Sequence, residues 1–426
     1  MPIGSDAPLQ IELALISGGQ VIVIPSHEYF RSLQVELVAG GSWTGTLELF
    51  DPQGDFLENI VILAGTDRRL RVKFGRGEQY PEENLSLEGN ITTYRPLFEP
   101  NGITLTVEVV SVGVVSAMVR RVPRSFAEGR LLSDVVTELA ALNDWATSDA
   151  LGRPTIEPTP VPTGEPFTST GESDLSFIQR VLVPQATNAA GQGNYLFYFD
   201  EANAIHFHTP DFLQSVEHTF VYARDMAGDV ISFSPADVSL FGVLMGGGNT
   251  IFTGLSSLSG ASAQAKSTTE SGVENEGFPV VSDGSSRVDY GSDVHSYVNI
   301  DTRDPLELKR LAQSRFDKFR EYAFKADLEI HGSHRVRVLD FVNIRYLKAN
   351  PLPGSNPEHY LSGRFRVYKI RHEITGDWRT TYETLRGGFE AQGLTPVQAT
   401  QTISPTVASS SGGSVSASVD TSGAGG

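Results

Sequence analysis

The chain has 426 residues, enough for about three domains of ordinary size with a real hydrophobic core. Its 51 acidic and 33 basic side chains give a net charge of −18, which argues against a protein that grips nucleic acid electrostatically. The absence of cysteine excludes disulfides, thiolate metal sites, iron–sulfur clusters and a cysteine nucleophile. No secretory leader follows Met1 and no apolar stretch reaches about 18 residues, so neither a signal peptide nor a membrane-spanning helix is expected.

The negative charge is concentrated in the first part of the chain. Residues 1–303 carry a net charge of −21, residues 304–394 carry +4, and Asp420 is the only charged residue after them. General solubility of the surface is one interpretation of this division. A face or channel with one sign of charge is the other, and both stay open at this point.

Residues 1–116 are predicted to form a first β-domain. Apolar and polar side chains alternate there, which is the pattern of strands that bury one face and leave the other in water. Turn sequences such as Pro100-Asn101-Gly102 separate these runs, so a sandwich or barrel is expected. The alternating runs are Leu33–Leu37, Leu70–Phe74 and Ile103–Val109.

Residues 117–218 are predicted to form a small α/β module. Apolar residues at helical spacing indicate a helix over 125–142, with Ser125 or a nearby residue as the candidate N-cap, and a second helix over 173–182, with Ser173 as its cap. The other predicted features of the module are a proline-rich connector at 154–166 and a hairpin of strands 195–199 and 205–208.

Residues 219–392 are predicted to form a second β-domain. The stretch 254–272 is rich in serine, and we expect it to be flexible, within an excursion that spans 254–299. Asp304-Pro305-Leu306-Glu307 combines an N-cap, a first-turn proline and a capping-box glutamate, so a long helix is predicted over 304–324. Further predictions are strands around 219–252, Val336–Val338, Val342–Tyr346, Arg364–Ile374 (with a bulge between Val367 and Ile370) and Trp378–Leu385, and a flexible Ser/Gly-rich tail at 393–426.

Three stretches of the chain resemble one known family. Glu172–Arg180 is similar to an acidic-Ser-Asp helix opening, His331–Arg345 to a glycine turn followed by a strand, and Gly363–His372, with Thr380-Thr381 beyond it, to a strand pair. Together they resemble the central hub proteins of contractile phage tails, the late-control-D-type hubs, and the N-terminal part of type VI secretion spike proteins. The resemblance covers residues 117–388.

The resemblance implies a fold and a function. The fold class is α+β, mainly β, with two tail-tube-like β-barrel domains and an inserted small α/β module. Three copies would form a baseplate hub that joins the sixfold tail tube to the threefold central spike and lines the DNA passage. The implied partners are a second and third copy, the tail tube or distal tail protein, a separate spike chain and other baseplate proteins, and the implied location is the virion after synthesis in the host cytoplasm.

The histidines are the first candidates for a chemical site. His206 and His208 share one face of a predicted strand, but two ligands without a third favour surface or packed histidines over a metal site. His331 and His334 flank a predicted turn and have the same interpretation, and His372 is predicted to make a structural hydrogen bond.

Other charged and glycine-rich segments carry no recognisable catalytic motif. The basic strand residues Arg364, Arg366, Lys369 and Arg371 are predicted to contact solvent or acidic neighbours rather than nucleic acid. Asp283, Asp289, Asp293 and Asp301 lack the spacing of a calcium loop, and Gly246–Gly248 lacks the Lys and Ser/Thr of a phosphate loop. We therefore predict no catalytic residue, cofactor or metal, and a protein that is not an enzyme. The alternatives are a β-rich cell-wall glycan hydrolase and a carbohydrate-binding tail protein.

Overall fold

The fold is taken from a computed structural model. The structure describes residues 9–17, 19–54, 68–76, 84–160, 162–163, 166–190, 193–213, 215–223, 230–236, 250–256, 262–266, 294–300, 324–348, 358 and 362–386. In this part of the chain no helix is long and apolar enough to cross a membrane.

The N-terminal strands confirm the alternating runs of the sequence. Leu33, Leu70 and Leu105 and the apolar residues in phase with them are buried, while the residues between them are more exposed. The elements are β1 Gln10–Ser17, β2 Gln20–Ile24, α1 Ser26–Tyr29, β3 Phe30–Val38, β4 Thr44–Asp51, β5 Arg68–Gly75, β6 Leu85–Glu99 and β7 Gly102–Ser111.

The module follows β7 without a break and has its own apolar core. Phe177, Ile205 and Phe207 are fully buried in that core, and the predicted hairpin is confirmed. Its elements are α2 Val112–Val119, β8 Arg124–Phe126, α3 Leu132–Leu142, β9 Phe167–Ser169, α4 Asp174–Phe177, a π-helical turn Ile178–Leu182, α5 Val183–Gln185, β10 Leu196–Phe199 and β11 Ile205–His208.

One predicted helix cap of the module is wrong and the other is confirmed. Ser125 lies in β8 and pairs with Thr168, and α3 begins only at Leu132. The cap comes from the proline-rich connector instead, because the Ser133 amide donates to the Thr159 hydroxyl oxygen at 2.9 Å. Ser173 is the cap of α4 as predicted, since its hydroxyl accepts from the Ser176 amide at 3.2 Å.

The C-terminal strands reproduce most of the predicted elements. Val336 and Val338, however, lie in the loop before the strand Phe341–Leu347. The Asp340 carboxylate accepts from the Arg337 amide there and holds a turn that interrupts the strand pattern. The predicted bulge is confirmed by a register shift between Val367 and Lys369. The first two strands are β12 Glu217–Ala223 and β13 Val230–Ala236.

Part of the segment predicted to be flexible, residues 254–256 and 262–266, lies in a small three-stranded sheet, and the rest of 254–272 lies outside the described residues. The sheet consists of β14 Thr250–Ser256 between β15 Ser262–Lys266, antiparallel to it, and β16 Val294–Ile300, parallel to it. The prediction rested on the small number of apolar side chains in this segment. A ladder of backbone hydrogen bonds does not need apolar side chains, so it also forms between small residues.

The remaining strands complete the chain. They are β17 Phe324–His331, β18 Phe341–Leu347, β19 Gly363–Ile374 and β20 Trp378–Arg386. The helix predicted over 304–324 lies outside the described residues apart from Phe324, with which β17 begins. The predicted tail at 393–426 also lies outside them.

The two groups of strands belong to one sheet of 13 strands. The order is β13-β17-β20-β19-β3-β4-β7-β6-β5-β1-β2, with β18 and β12 attached beside β19. The protein is therefore mainly β, with a curled half-barrel sheet and few helices. The sequence interpretation divided the strands between two domains, but it did not predict that β3 and β19 would pair directly.

The N-terminal and C-terminal groups of strands, called the two halves of the sheet below, meet where β3 pairs with β19. The Glu36 carboxylate of β3 contacts two basic side chains of β19 there. The strands are antiparallel, with Leu33 opposite Ile374 and Val38 opposite Lys369. Glu36 accepts from Arg371 Nε at 2.8 Å and lies 3.1 Å from Lys369 Nζ. Burial raises the pKa of Glu36, but the hydrogen bonds and charges of Lys369 and Arg371 outweigh it, so that the pKa lies below its usual value.

Aromatic packing joins the halves on the buried side. The ring of Phe74, from β5, makes edge contacts with both His372 and Trp378 at centroid distances of 5.4 Å. The Trp378 ring lies against Gly332, where an added Cβ would come within 2.0 Å of it. A single apolar cluster therefore spans the N-terminal and C-terminal strands.

Replacing the junction carboxylate should weaken this connection. Glu36→Ala leaves two half-buried cations without their shared partner, and we expect the free energy of unfolding to fall by about 1–3 kcal/mol in urea denaturation. The matched control is Glu12→Ala, whose exposed pair with Lys73 should contribute less than about 0.5 kcal/mol. Equal losses in the two variants would contradict a special role for the junction.

Candidate functional site

A cleft of about 300 Å³ lies between the module and the main sheet. Its apolar wall includes Leu37, Trp43 and Leu339 from the main sheet and its loops. The module contributes the β10–β11 hairpin and the 149–153 loop, and the segment before β12 closes one side. The titratable residues that line the cleft are Asp149, Arg153, Tyr198, Asp200, Glu201, His206, Arg335, Arg337 and Asp340.

The turn of the β10–β11 hairpin fixes the module against the N-terminal strands. Asn203 adopts the left-handed conformation, with a φ of 61°. Its side-chain oxygen accepts from the Ser111 hydroxyl at 2.7 Å, and its side-chain amide donates to the Glu88 carbonyl at 3.1 Å. The same residue thus shapes the turn and binds two neighbouring strands, β6 and β7.

A line of buried polar groups connects the same turn to the C-terminal strands. Glu201 Oε1 lies 3.8 Å from His334 Nε2, and His334 Nδ1 lies 3.3 Å from His372 Nε2. His372 Nδ1 lies 3.0 Å from the Thr380 hydroxyl, which bears out the predicted structural hydrogen bond. Burial raises the pKa of Glu201, and the charge of Asp200 raises it further.

Both histidines of this line are held in the neutral state. Burial, followed by the charge of Arg337, lowers the pKa of His334 to about 4. Burial, followed by His334, lowers the pKa of His372 well below its usual value. A second proton on either ring would stand in a dry environment, and for His334 this cost outweighs the charge of Asp340, which acts in the opposite direction.

His206 and His208 share a face as predicted, and they bond to each other. His206 Nδ1 lies 3.0 Å from His208 Nε2, and the Asp200 carboxylate lies 3.2 Å from His206 Nε2. Burial, followed by the charge of His206, lowers the pKa of His208 to about 3. With one ring nitrogen engaged by the other, the pair has the geometry of packed histidines.

The carboxylates of the cleft are for the most part already engaged. Asp149 accepts from the Leu151 and Arg153 amides and from the Arg153 guanidinium. Asp340 accepts from two backbone amides, those of Val216 and Arg337. Asp200 accepts from the Ala204 amide and contacts His206. These contacts hold loops in place, and they do not present two free carboxyl groups to a substrate.

The basic residues of β19 contact acidic neighbours, as predicted. Arg364 lies 3.3 Å from Glu217, and Arg366 pairs with Asp211. Lys369 and Arg371 both bind Glu36. Arg364 also lies over the Phe341 ring at 3.5 Å from the centroid. The charges of this strand are thus used for contacts inside the molecule.

No metal centre is formed by the part of the chain that the structure describes. Groups of three or more His, Asp or Glu side chains that could hold a metal ion do not occur there. His331 ends β17 and is exposed, while His334 is buried three residues later, so the two do not share a site. Asp283, Asp289, Asp293, Asp301 and the triplet Gly246–Gly248 lie outside the described residues.

Several residues of the cleft region were not predicted from sequence. Asn203 was placed in a turn, and Glu201 beside it, but neither was given a partner. The partners of Asn203 and Glu201 are more than 80 residues away along the chain, at Ser111, Glu88 and His334, and no local pattern indicates them. The asparagine in the turn between the two strands of the hairpin is the only local feature that indicated a left-handed backbone conformation, which Asn203 adopts.

Solved structures share this fold over most of its length. A tail protein from Neisseria meningitidis MC58 superposes with a TM-score of 0.55 at 11% identity, covering 88% of this chain and 96% of its own. The 43 kDa tail protein of prophage MuSo2 from Shewanella oneidensis gives a TM-score of 0.55 at 11% identity, covering 89% and 100%. The chain has the fold of these tail proteins. The resemblance stated from three sequence stretches is thereby confirmed for the fold.

Sequence comparison alone does not reach this result. No protein-family model matches the chain, and no curated protein matches it significantly. At 11% identity the likeness lies in the arrangement of the strands.

Removing the Asn203 side chain should loosen the module. Asn203→Ala deletes the bonds to Ser111 and Glu88. It also replaces a residue that tolerates the left-handed conformation by one that tolerates it less well, and we expect a loss of about 2–3 kcal/mol in the free energy of unfolding. Asn203→Gly is the matched control for the backbone, because it removes the same bonds without strain. Hydrogen exchange should rise in β10 and β11 in both variants. Unchanged exchange would show that the turn does not fix the module.

The buried histidines should make the protein sensitive to mild acid. In the unfolded chain they protonate near pH 6.5, whereas in the folded chain they stay neutral to about pH 3–4, so stability is complete above pH 6.5 and falls as the pH drops. Each histidine contributes up to about 1.4 kcal/mol per pH unit, and Glu201, with its raised pKa, opposes the trend. Urea midpoints at pH 7, 6 and 5 measure the slope.

A variant pair isolates the contribution of one ring. His208→Gln should reduce the slope between pH 7 and 5, and His334→Gln provides the same test if His208→Gln does not fold. His27→Gln is the control, because His27 is 80% exposed and should leave the slope unchanged. A slope that is identical in all variants would contradict the assignment.

Proposed function

We propose that the chain is a structural, non-enzymatic hub of a phage tail, and that three copies join the tail tube to the central spike. The observation that carries this proposal is the match of the whole fold, over 88% and 89% of the chain, to two tail proteins of similar length. A protein that shared only a local site with these tail proteins would not match them over almost the whole chain. The hub is located in the baseplate of the virion, after synthesis in the host cytoplasm.

The domain organisation supports an adaptor. We infer that residues 1–116 and 219–392 supply two tail-tube-like barrels, and that residues 117–218 form the module between them. Two similar units per copy allow three copies to present six units to a sixfold tube. The pairing of β3 with β19 holds the two units of one copy in a fixed relation.

The charge distribution supports a passage for DNA. The excess of acidic residues over 1–303 makes a negative lumen possible, which would repel phosphates and keep the genome from adhering. The basic residues of β19 are paired with Glu36, Glu217 and Asp211, so they do not counteract such a lumen.

A glycan hydrolase is less well supported than a hub. The cleft contains carboxylates, but three of the four lining ones are bound to backbone amides or basic side chains. A carbohydrate-binding protein would need exposed aromatic platforms, and Trp43 and Phe199 in the cleft are buried. The proposed partners are therefore proteins: further copies of the chain, the tail tube or distal tail protein, the spike and other baseplate proteins.

Light scattering of the purified chain tests the hub directly. We expect a concentration-dependent species of three times the 46.1 kDa chain mass. In parallel, a peptidoglycan turnover assay should show no activity above that of Glu201→Gln. A chain that stays monomeric at all concentrations up to the millimolar range would contradict the trimer, and turnover abolished by Glu201→Gln would favour the hydrolase.

A further inference from the structure

The ends of helices α2 and α3 carry an exposed apolar surface. The Arg120 guanidinium, directly after α2, donates to the Leu142 carbonyl at the end of α3, so the two ends lie side by side. The structure describes this part of the chain without a gap, from residue 84 to residue 160. Clustered apolar side chains that stay exposed are typical of contact surfaces. Four of them, called the module patch below, are between 45% and 74% exposed, namely Met118, Val119, Val122 and Leu142.

One cation lies among these side chains without a partner. Arg121 is exposed and makes no hydrogen bond or ion pair within the part of the chain that the structure describes. The neighbouring arginines are engaged, since Arg120 donates to Asn143 at 3.2 Å and Arg124 pairs with Asp174. An apolar surface with one uncommitted cation is complementary to an apolar surface that carries a carboxylate.

The tip of the β6–β7 hairpin has this complementary combination. Leu97 and Phe98 are 59% and 71% exposed, so the tip is apolar on both faces of β6. Glu99 lies on the same face as Leu97, and its side chain is 40% exposed. The carboxylate accepts from the Thr104 hydroxyl at 3.0 Å and lies 4.0 Å from Arg31. Both contacts are exposed, so they leave the carboxylate accessible to a second cation.

The tip is also free of the strand beside it. Pairing of β5 with β6 reaches only as far as Asn90, and beyond that residue β7 is the partner of β6 among the described strands. The strand β2 is exposed and apolar as well, but Gln20–Ile24 contains no acidic residue. The hairpin tip therefore matches Arg121 and its apolar surroundings, whereas β2 does not.

One chain cannot place its own tip on its own patch. The strand β7 begins at Gly102 in the tip and ends at Ser111, directly before α2. An extended strand of 10 residues spans about 30 Å, so the tip and the patch lie at opposite ends of it. A contact between them joins two copies. Because the two surfaces differ and each copy carries both, the contact is head-to-tail, which is the kind that closes a ring.

We propose that the β6–β7 hairpin tip of one copy docks on the module patch of a second copy, with Glu99 of one copy paired with Arg121 of the other. This inference rests on the proposed homotrimer. Burial of Leu97 against Val119 and Val122 supplies the apolar part of the contact, and the ion pair fixes its register.

Exchange of the two charges tests the ion pair. Arg121→Glu and Glu99→Arg each place like charges in the contact, and we expect the concentration for half-maximal trimer formation to rise about tenfold in either variant. The double variant restores opposite charges in reversed order, so its assembly should return to within about twofold of the original chain. Glu28→Arg is the matched control, because it makes the same change of charge at a side chain that is 57% exposed on α1, and it should leave assembly unaffected.

Disulfide trapping tests the docking independently, because the chain has no cysteine of its own. Leu97→Cys combined with Val122→Cys in the full chain should give intersubunit products that end at the trimer on a denaturing gel after oxidation. Leu97→Cys combined with Val221→Cys is the control. Val221 is 42% exposed on β12, outside the module patch, so this pair should give no such product.

The outcomes separate the docking from the hub. A protein that is trimeric by light scattering but lacks either the crosslink or the charge rescue would overturn the docking and leave the proposed hub intact. Crosslinked dimers from either single-cysteine variant would also overturn it, because like surfaces would then meet. A monomer under all conditions would contradict the hub, and the docking with it.

Discussion

The structure depends on the pairing of β3 with β19. This contact joins strands that are more than 300 residues apart in the chain and turns two groups of strands into one sheet. Glu36 neutralises Lys369 and Arg371 at the junction, and Phe74 packs against His372 and Trp378 below it. The acidic N-terminal part and the basic C-terminal segment are thus complementary where they meet, so that the uneven distribution of charge has a structural use.

One hairpin turn of the module contacts both halves of this sheet. Asn203 binds the N-terminal strands, and Glu201 approaches His334 of the C-terminal half. The polar groups of the cleft mostly bind one another or the backbone, and the histidines are neutral because they are buried. Such an arrangement fixes the relative positions of three parts of the chain. It suits the proposed adaptor, whose shape must be constant.

Local patterns predicted the strands well and the long-range contacts poorly. Alternation placed the buried faces of β3, β5 and β7, and the phase change after Val367 predicted the bulge in β19. Ser173 was predicted as a cap because its acceptor role is local, whereas α3 is capped by Thr159 from a distant loop. Helix α2, with its β-branched sequence, was missed because packing overrides intrinsic propensity. Of the site, the histidine pair, the hydrogen bond of His372 and the basic strand were predicted, whereas the partners of Asn203 and Glu201 lie on other elements and were not.

A threefold-averaged reconstruction of the assembled tail tests the central claim most directly. The account predicts three copies of this chain around the channel, between a sixfold tube and a threefold spike, with the sheet that contains β3 and β19 facing the lumen. Density for the chain at the periphery of the baseplate, or in a number other than three around the axis, would contradict the account.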